Sequence, residues 1–174
     1  MGSRGHCSDI PPRDLRGAID LETDLMTSES PIPNPASPAF SWPTRVYWED
    51  TDAGGVVYHA QYVAFLERAR SEWMRHHGYG QATLRDMHGT VFAVRAMRID
   101  FRSPARLDDA LEVSVVLRQC RRASAVFVQE VRRDGELLLD AEVRIAALSA
   151  ADFRPQAIPE ALYSQLKSLE TSAE

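Results

Sequence analysis

The chain has 174 residues, 44% of them hydrophobic and 26% charged, which fits one soluble domain around a single core. A formal net charge of −5 argues against nucleic acid as the main partner, because no global positive field draws a phosphate backbone. Arg4 is not followed by an apolar run of signal-peptide length, and no stretch is apolar enough for a membrane span, so a cytoplasmic protein is expected.

Residues 1–40 read as an extended or disordered tail. Seven of the ten prolines, Pro11, Pro12, Pro31, Pro33, Pro35, Pro38 and Pro43, fall at or just beyond it, and "SESPIPNPASPAFSWP" is rich in proline and serine. A marginal helical turn is expected in "LRGAIDLETDLM", residues 15–26. Cys7 lies in this tail, far from Cys120, so a structural disulfide is not expected, and neither cysteine has metal-ligand spacing.

From Thr44 the patterning sharpens. "TRVYWED" alternates like a short strand. From His59 to His77, Tyr62, Phe65, Leu66, Ala69 and Trp73 recur at helical spacing, and Glu67, Arg68, Arg70, Glu72 and Arg75 lie largely outside that stripe. This predicts the longest helix of the protein, stopped at Gly78 and Gly80. "QATLRDMHG" reads as a second short helix or turn. Period-2 alternation then dominates. Val91, Ala93, Met97, Ile99 and Phe101 share a parity, as do Leu111, Val113, Val115 and Leu117. So do Ala125, Phe127 and Val131, and later Leu137, Leu139, Ala141, Val143, Ile145 and Ala147. Asp134-Gly135 between two such runs is a hairpin signal, since both residues tolerate positive φ. A helix is expected in "PEALYSQLKSLE". One strand, a long helix and about four antiparallel strands define an α+β class, with a sheet packed on its main helix. The expected domain covers 41–155, with a C-terminal helix and tail at 156–174.

The chemistry concentrates in "EDTDAGGVVYHAQYVAF", residues 49–65, where the first strand meets the long helix. Gly54-Gly55 permits a sharp turn and close approach of backbone N–H groups. A helix start offers unpaired N–H donors and partial positive charge, which suit a developing oxyanion. Asp50 or Asp52 can stand beside it as base or nucleophile. Simpler roles compete with these: Asp50 as a turn residue, Asp52 as a helix cap, His59 as a structural donor, Tyr58 and Tyr62 as wall or core. His76 and His77 are adjacent and point different ways on a helix, so no metal site is expected.

The stretch "RVYWEDTDAGGVVYHAQYVAFLERARSEWMRHHGYG", with "DFRSPARLDDALEV" further on, resembles the hotdog-fold acyl-CoA thioesterases of the 4-hydroxybenzoyl-CoA thioesterase type. Within that group it is most similar to the members associated with the bacterial Tol-Pal cell-envelope system. The resemblance runs to about residue 155. It implies a curved antiparallel sheet wrapped around one long helix, and hydrolysis of short-chain or aromatic acyl-CoA, or acyl carrier protein thioesters. Asp52 matches the catalytic acid, nucleophile or general base. His59 matches the residue whose N–H binds the carbonyl oxygen, with a supporting role for its side chain, and Gly55, Val57 and Tyr58 match the loop that shapes the substrate site. No cofactor or metal is implied. Dimers or tetramers with sites at the subunit interface are. Arg95, Arg98, Arg102, Arg106, Arg121 and Arg122 are candidates for the phosphates of coenzyme A, although surface ion pairs explain any one of them as well. Two other functions stand beside hydrolysis: an enoyl-thioester hydratase using Asp52 and His59, and a low-turnover acyl-thioester-binding scaffold at the envelope.

Overall fold

The computed structural model describes residues 40–171. The expected tail, its helical turn at 15–26 and Cys7 lie outside them. Within them run β1 (Ser41–Arg45), a 3-10 turn (Trp48–Asp50), α1 (His59–His76), α2 (Gln81–His88) and β2 (Thr90–Phe101). There follow β3 (Ala110–Ser114), β4 (Val116–Arg121), β5 (Ser124–Arg133), β6 (Glu136–Ser149) and α3 (Glu160–Ser168). The strands form one curved antiparallel sheet in the order β1-β3-β5-β6-β2, with β4 also on β5. This is the hotdog arrangement.

Helix α1 lies across the inner face because its apolar stripe matches that face. Tyr62, Phe65, Leu66, Ala69, Trp73 and Met74 are buried against Val113, Leu117, Phe127, Val131 and Val143 in one cluster. Trp73 meets Phe127 edge to face, with ring centres 5.3 Å apart. Asp134 (φ 50°) and Gly135 (φ 84°) close the β5–β6 hairpin, the backbone geometry that a two-residue turn of twisted strands needs. Helix α3 packs on β4 and buries Leu162 and Leu166, with Ile158 buried just ahead of it, and Gln165 donates to the His77 carbonyl, tying α3 to the end of α1.

Four expectations change in detail. The first strand sits earlier than "TRVYWED" implies. It is Ser41–Arg45, and "WED" turns instead, because the Asp50 carboxylate accepts the Tyr47 N–H. Pro43 is tolerated within β1 because that strand pairs only with β3 and lies at the sheet edge. Along β2, a bulge at Arg95 shifts the phase, so that Phe92 and Val94 share the core side with Met97, Ile99 and Phe101, while Val91 and Ala93 face outward. The run 111–117 is two strands, not one. It breaks at Val115, yet Leu111, Val113, Val115 and Leu117 are all buried together. Finally, Arg70 does not lie outside the helix stripe. It is buried, and its guanidinium donates to the side-chain carbonyl of Gln129.

Candidate active site

The 49–65 stretch folds into a closed loop that ends on α1. Thr51 and Val57 bridge antiparallel to each other. Inside that bridge the Asp52 N–H donates to the Val56 carbonyl at 2.9 Å, and the Gly55 N–H donates to the Asp52 carbonyl at 3.0 Å. Outside it, the Tyr58 N–H donates to the Asp50 carbonyl at 2.8 Å. The loop is thus fastened on both sides of the turn that carries Asp52.

The two aspartates have separate jobs. Asp50 is buried, and its carboxylate takes the Tyr47 N–H at 2.8 Å, which closes the 3-10 turn. Asp52 is exposed on the loop, and its Oδ1 accepts the Gly54 N–H at 2.7 Å. That one bond orients the carboxylate, while no cation is hydrogen-bonded to it among the described residues.

The glycine pair has two different requirements. Gly55 has φ +73°, a conformation closed to most side chains. A Cβ on Gly54 would lie 3.0 Å from Asp52 Oδ1, so a side chain there pushes against the carboxylate itself. Gly54→Ala is therefore expected to lower turnover by about 10-fold or more through displacement of Asp52, with little change in melting temperature. Steady-state rates and a thermal melt of the same preparation check this.

Helix α1 begins at His59 without a side-chain cap and without an acid in its first turn. The N–H groups of Gly54, Gly55, Val57 and Tyr58 are already donated, to Asp52 Oδ1, Asp52 O, Ala105 O and Asp50 O. His59 and Ala60, at the first two helical positions, have no acceptor one turn back, and the helix dipole adds positive potential there. The loop therefore sets an exposed carboxylate and a free helix start side by side in the chain. The His59 ring is exposed and rests against Tyr58, ring centres 4.3 Å apart. Val57 is buried and serves as the inner anchor of the loop, and Tyr58 is half-exposed at its outer wall.

The support beneath this loop is not visible in the motif. Ala105, in the β2–β3 connection, accepts the Val57 N–H at 2.9 Å and donates its own N–H to the Tyr62 hydroxyl at 2.8 Å. Burial pushes the Tyr62 phenol up from its ordinary value, which keeps it neutral in this role. Asp109 caps the same connection. Burial opposes its charge, but the Arg133 guanidinium and the Arg106 N–H hold its carboxyl below the usual carboxylate range. The sequence cue was the "SPARLDD" run, a proline-bounded loop with paired acids.

The arginines sort by partner. Arg98 pairs with Asp100, Arg102 with Asp140 and Arg122 with Glu160. Arg106, next in sequence to Ala105, is exposed, and its N–H donates to the Asp109 carboxylate.

An α+β sheet wrapped on one helix, with an acid-bearing glycine loop at the helix start, defines the hotdog thioesterase class. The chain belongs to the thioesterase-like superfamily, whose sequence profile matches residues 46–166. It is 46% identical over 129 residues to the Escherichia coli acyl-CoA thioester hydrolase YbgC, covering 74% of this chain and 96% of that protein. It is 41% identical over 121 residues to the Haemophilus influenzae acyl-CoA thioesterase YbgC, covering 70% and 89%. A solved probable thioesterase from Bartonella henselae superposes with a TM-score of 0.67 at 34% identity, over 69% of this chain and 98% of that one.

Proposed function

We propose that this protein hydrolyses acyl-CoA thioesters to a free acid and coenzyme A thiol at the loop of Asp52 and His59. The observation that carries the reading is the commitment of four loop N–H groups to internal acceptors, which leaves the His59 and Ala60 amides at the start of α1, on the same loop as the exposed Asp52 carboxylate, to meet a substrate oxygen. The likeness to relatives named as acyl-CoA thioester hydrolases supports the substrate class.

The His59 N–H polarises the thioester carbonyl, and negative charge gathers on its oxygen as an oxygen nucleophile adds to carbon. If Asp52 adds directly, the C–S bond breaks to an acyl-aspartyl anhydride, and water then releases the acid. If Asp52 takes a proton from water, the hydroxide adds and the thiolate leaves with that proton. Label in Asp52 after one turnover in ¹⁸O-water marks the first route, with water adding to the aspartyl carbonyl of the anhydride. Exposed Arg106, next in sequence to the Ala105 that accepts the Val57 N–H, is the candidate for a phosphate of coenzyme A, while Gly55, Val57 and Tyr58 shape the loop.

The substrates are short-chain or aromatic acyl groups, carried on coenzyme A or an acyl carrier protein. The functional unit is an oligomer. At the β2 edge, Val94, Phe101 and, on α1, Val63 are exposed beside a strand edge that has no partner among the described residues. Pairing β2 with that of a second copy covers this apolar strip. A cytoplasmic location is part of this reading, and a link to the Tol-Pal system rests on the resemblance of residues 45–80. No helix among the described residues is long and apolar enough to cross a membrane.

A panel of acyl-CoA and acyl carrier protein thioesters tests the reading, with free thiol and enone absorbance followed together. Thiol release across short or aromatic acyl groups is the expected result. Loss of the crotonyl-CoA enone without thiol marks a hydratase instead, and saturable binding without either marks a scaffold.

A further inference from the structure

We infer that Asp109 is a positioning residue for the proposed hydrolysis, and the inference rests on that reading: its carboxylate sets the spacing of the two backbone anchors that carry the Asp52 loop. Both anchors lie on the connection between β2 and β3. Ahead of the loop, the Val46 N–H donates to the Asp109 carbonyl at 3.0 Å, and the Val46 carbonyl accepts the Asp108 N–H at 3.1 Å. Behind it, the Val57 N–H donates to the Ala105 carbonyl at 2.9 Å. Val46, Val57 and Ala105 are all buried, so these bonds are shielded from water. The loop therefore takes its width from the distance between Ala105 and Asp109.

Regular structure does not fix that distance, since residues 102–109 belong to no helix or strand. A turn fixes it. The Asp109 N–H donates to the Arg106 carbonyl at 3.1 Å, and the Arg106 N–H donates back to Asp109 Oδ2 at 2.8 Å. The same oxygen accepts Arg133 Nη1 at 2.8 Å, from the end of β5. Arg133 Nη2 donates to Glu136 Oε2 at 2.7 Å, which holds the guanidinium in place. Asp108, inside the turn, has φ 68°, a left-handed conformation that a residue with a side chain keeps only when its surroundings hold it. Tyr62 secures the Ala105 end from α1, and Asp109 secures the other end from the sheet.

The His59 N–H moves with α1, whose apolar stripe is buried in the core. Asp52 has no such hold, being exposed on the loop. A change in loop width thus moves the carboxylate against the helix start, and a displacement of about 1 Å between reacting groups costs about 100-fold in rate.

The test is kcat for an acyl-CoA, read as thiol release well below each variant's melting transition. Asp109→Ala is expected to lower kcat by about 10- to 100-fold, and Asp109→Asn, which keeps an oxygen for the Arg106 N–H, to recover most of that loss. In an Asp52→Asn background, Asp109→Ala is expected to cost less than about 3-fold further, because the group it positions is already gone. Hydrogen–deuterium exchange reads the anchors without turnover. Peptides spanning 46–58 are expected to exchange at least about 10-fold faster in Asp109→Ala, and those of α3 at the wild-type rate. Should Asp109→Ala not fold, Arg133→Gln, which keeps the turn but loosens it from the sheet, is expected to show both effects at about 3- to 10-fold. Wild-type kcat in Asp109→Ala, equal losses in the alanine and asparagine variants, losses that multiply with Asp52→Asn, or unchanged exchange over 46–58 each overturn the inference. Absence of thiol release from the wild-type protein sinks the proposed hydrolysis instead, and exchange alone then decides whether Asp109 holds the loop.

Discussion

Asp52→Asn is expected to lower thiol release by about 10²- to 10⁴-fold while the protein keeps its fold. The asparagine is nearly the same size, and its side-chain oxygen can still accept the Gly54 N–H that Asp52 Oδ1 now takes at 2.7 Å. Asp52 is exposed, so no buried contact is lost. What disappears is the charge: an amide neither attacks a thioester carbon nor accepts a proton from water at neutral pH. The measurement is kcat/KM for an acyl-CoA, paired with circular dichroism and a thermal melt. A variant that melts normally and retains activity within a few-fold removes Asp52 from the chemistry. Asp50→Asn makes an opposite control. Asp50 is buried and holds the Tyr47 N–H, so that change should show first in the melt.

The largest loss of stability is expected at Phe65→Ala, about 3–5 kcal/mol. Phe65 is fully buried on α1, one turn beyond Tyr62, with ring centres 6.0 Å apart. The helix is enclosed by the sheet, so the vacated space cannot readily collapse, and both the transfer and cavity contributions are lost. A fall in melting temperature of roughly 10–20 °C is the readout. Met87→Ala on the exposed side of α2 should change stability by less than about 0.5 kcal/mol. Tyr62 holds the Ala105 peptide under the active loop, so Phe65→Ala should also disturb turnover before global unfolding.

Much of this architecture was readable because it is written in local periodicity. The α1 stripe from Tyr62 to Trp73 has helical spacing, and Asp134-Gly135 has turn chemistry within two residues. The phase of β2 was not readable. A bulge at Arg95 comes from register with β6, and a side-chain alternation carries no mark of it. Arg70 was hidden for a similar reason. On the helix it looks like one more surface cation, and its partner Gln129 lies 59 residues away on β5. The acids of 49–65 were legible as a pair of candidates. Their division of labour depended on which carboxylate the backbone consumes, and that is a three-dimensional fact.

Pro43 in β1 has a consequence for how many copies can join. A proline in the middle of a five-residue edge strand interrupts its row of donors, so that side of the sheet is a poor template for another strand. β2, at the opposite side, runs twelve residues without a proline. A sheet that can grow from one side only joins a single neighbour through that side and then stops. The proposed pairing along β2 is therefore expected to be self-limiting, with a closed pair and not a fibre as the species that size-exclusion chromatography reads.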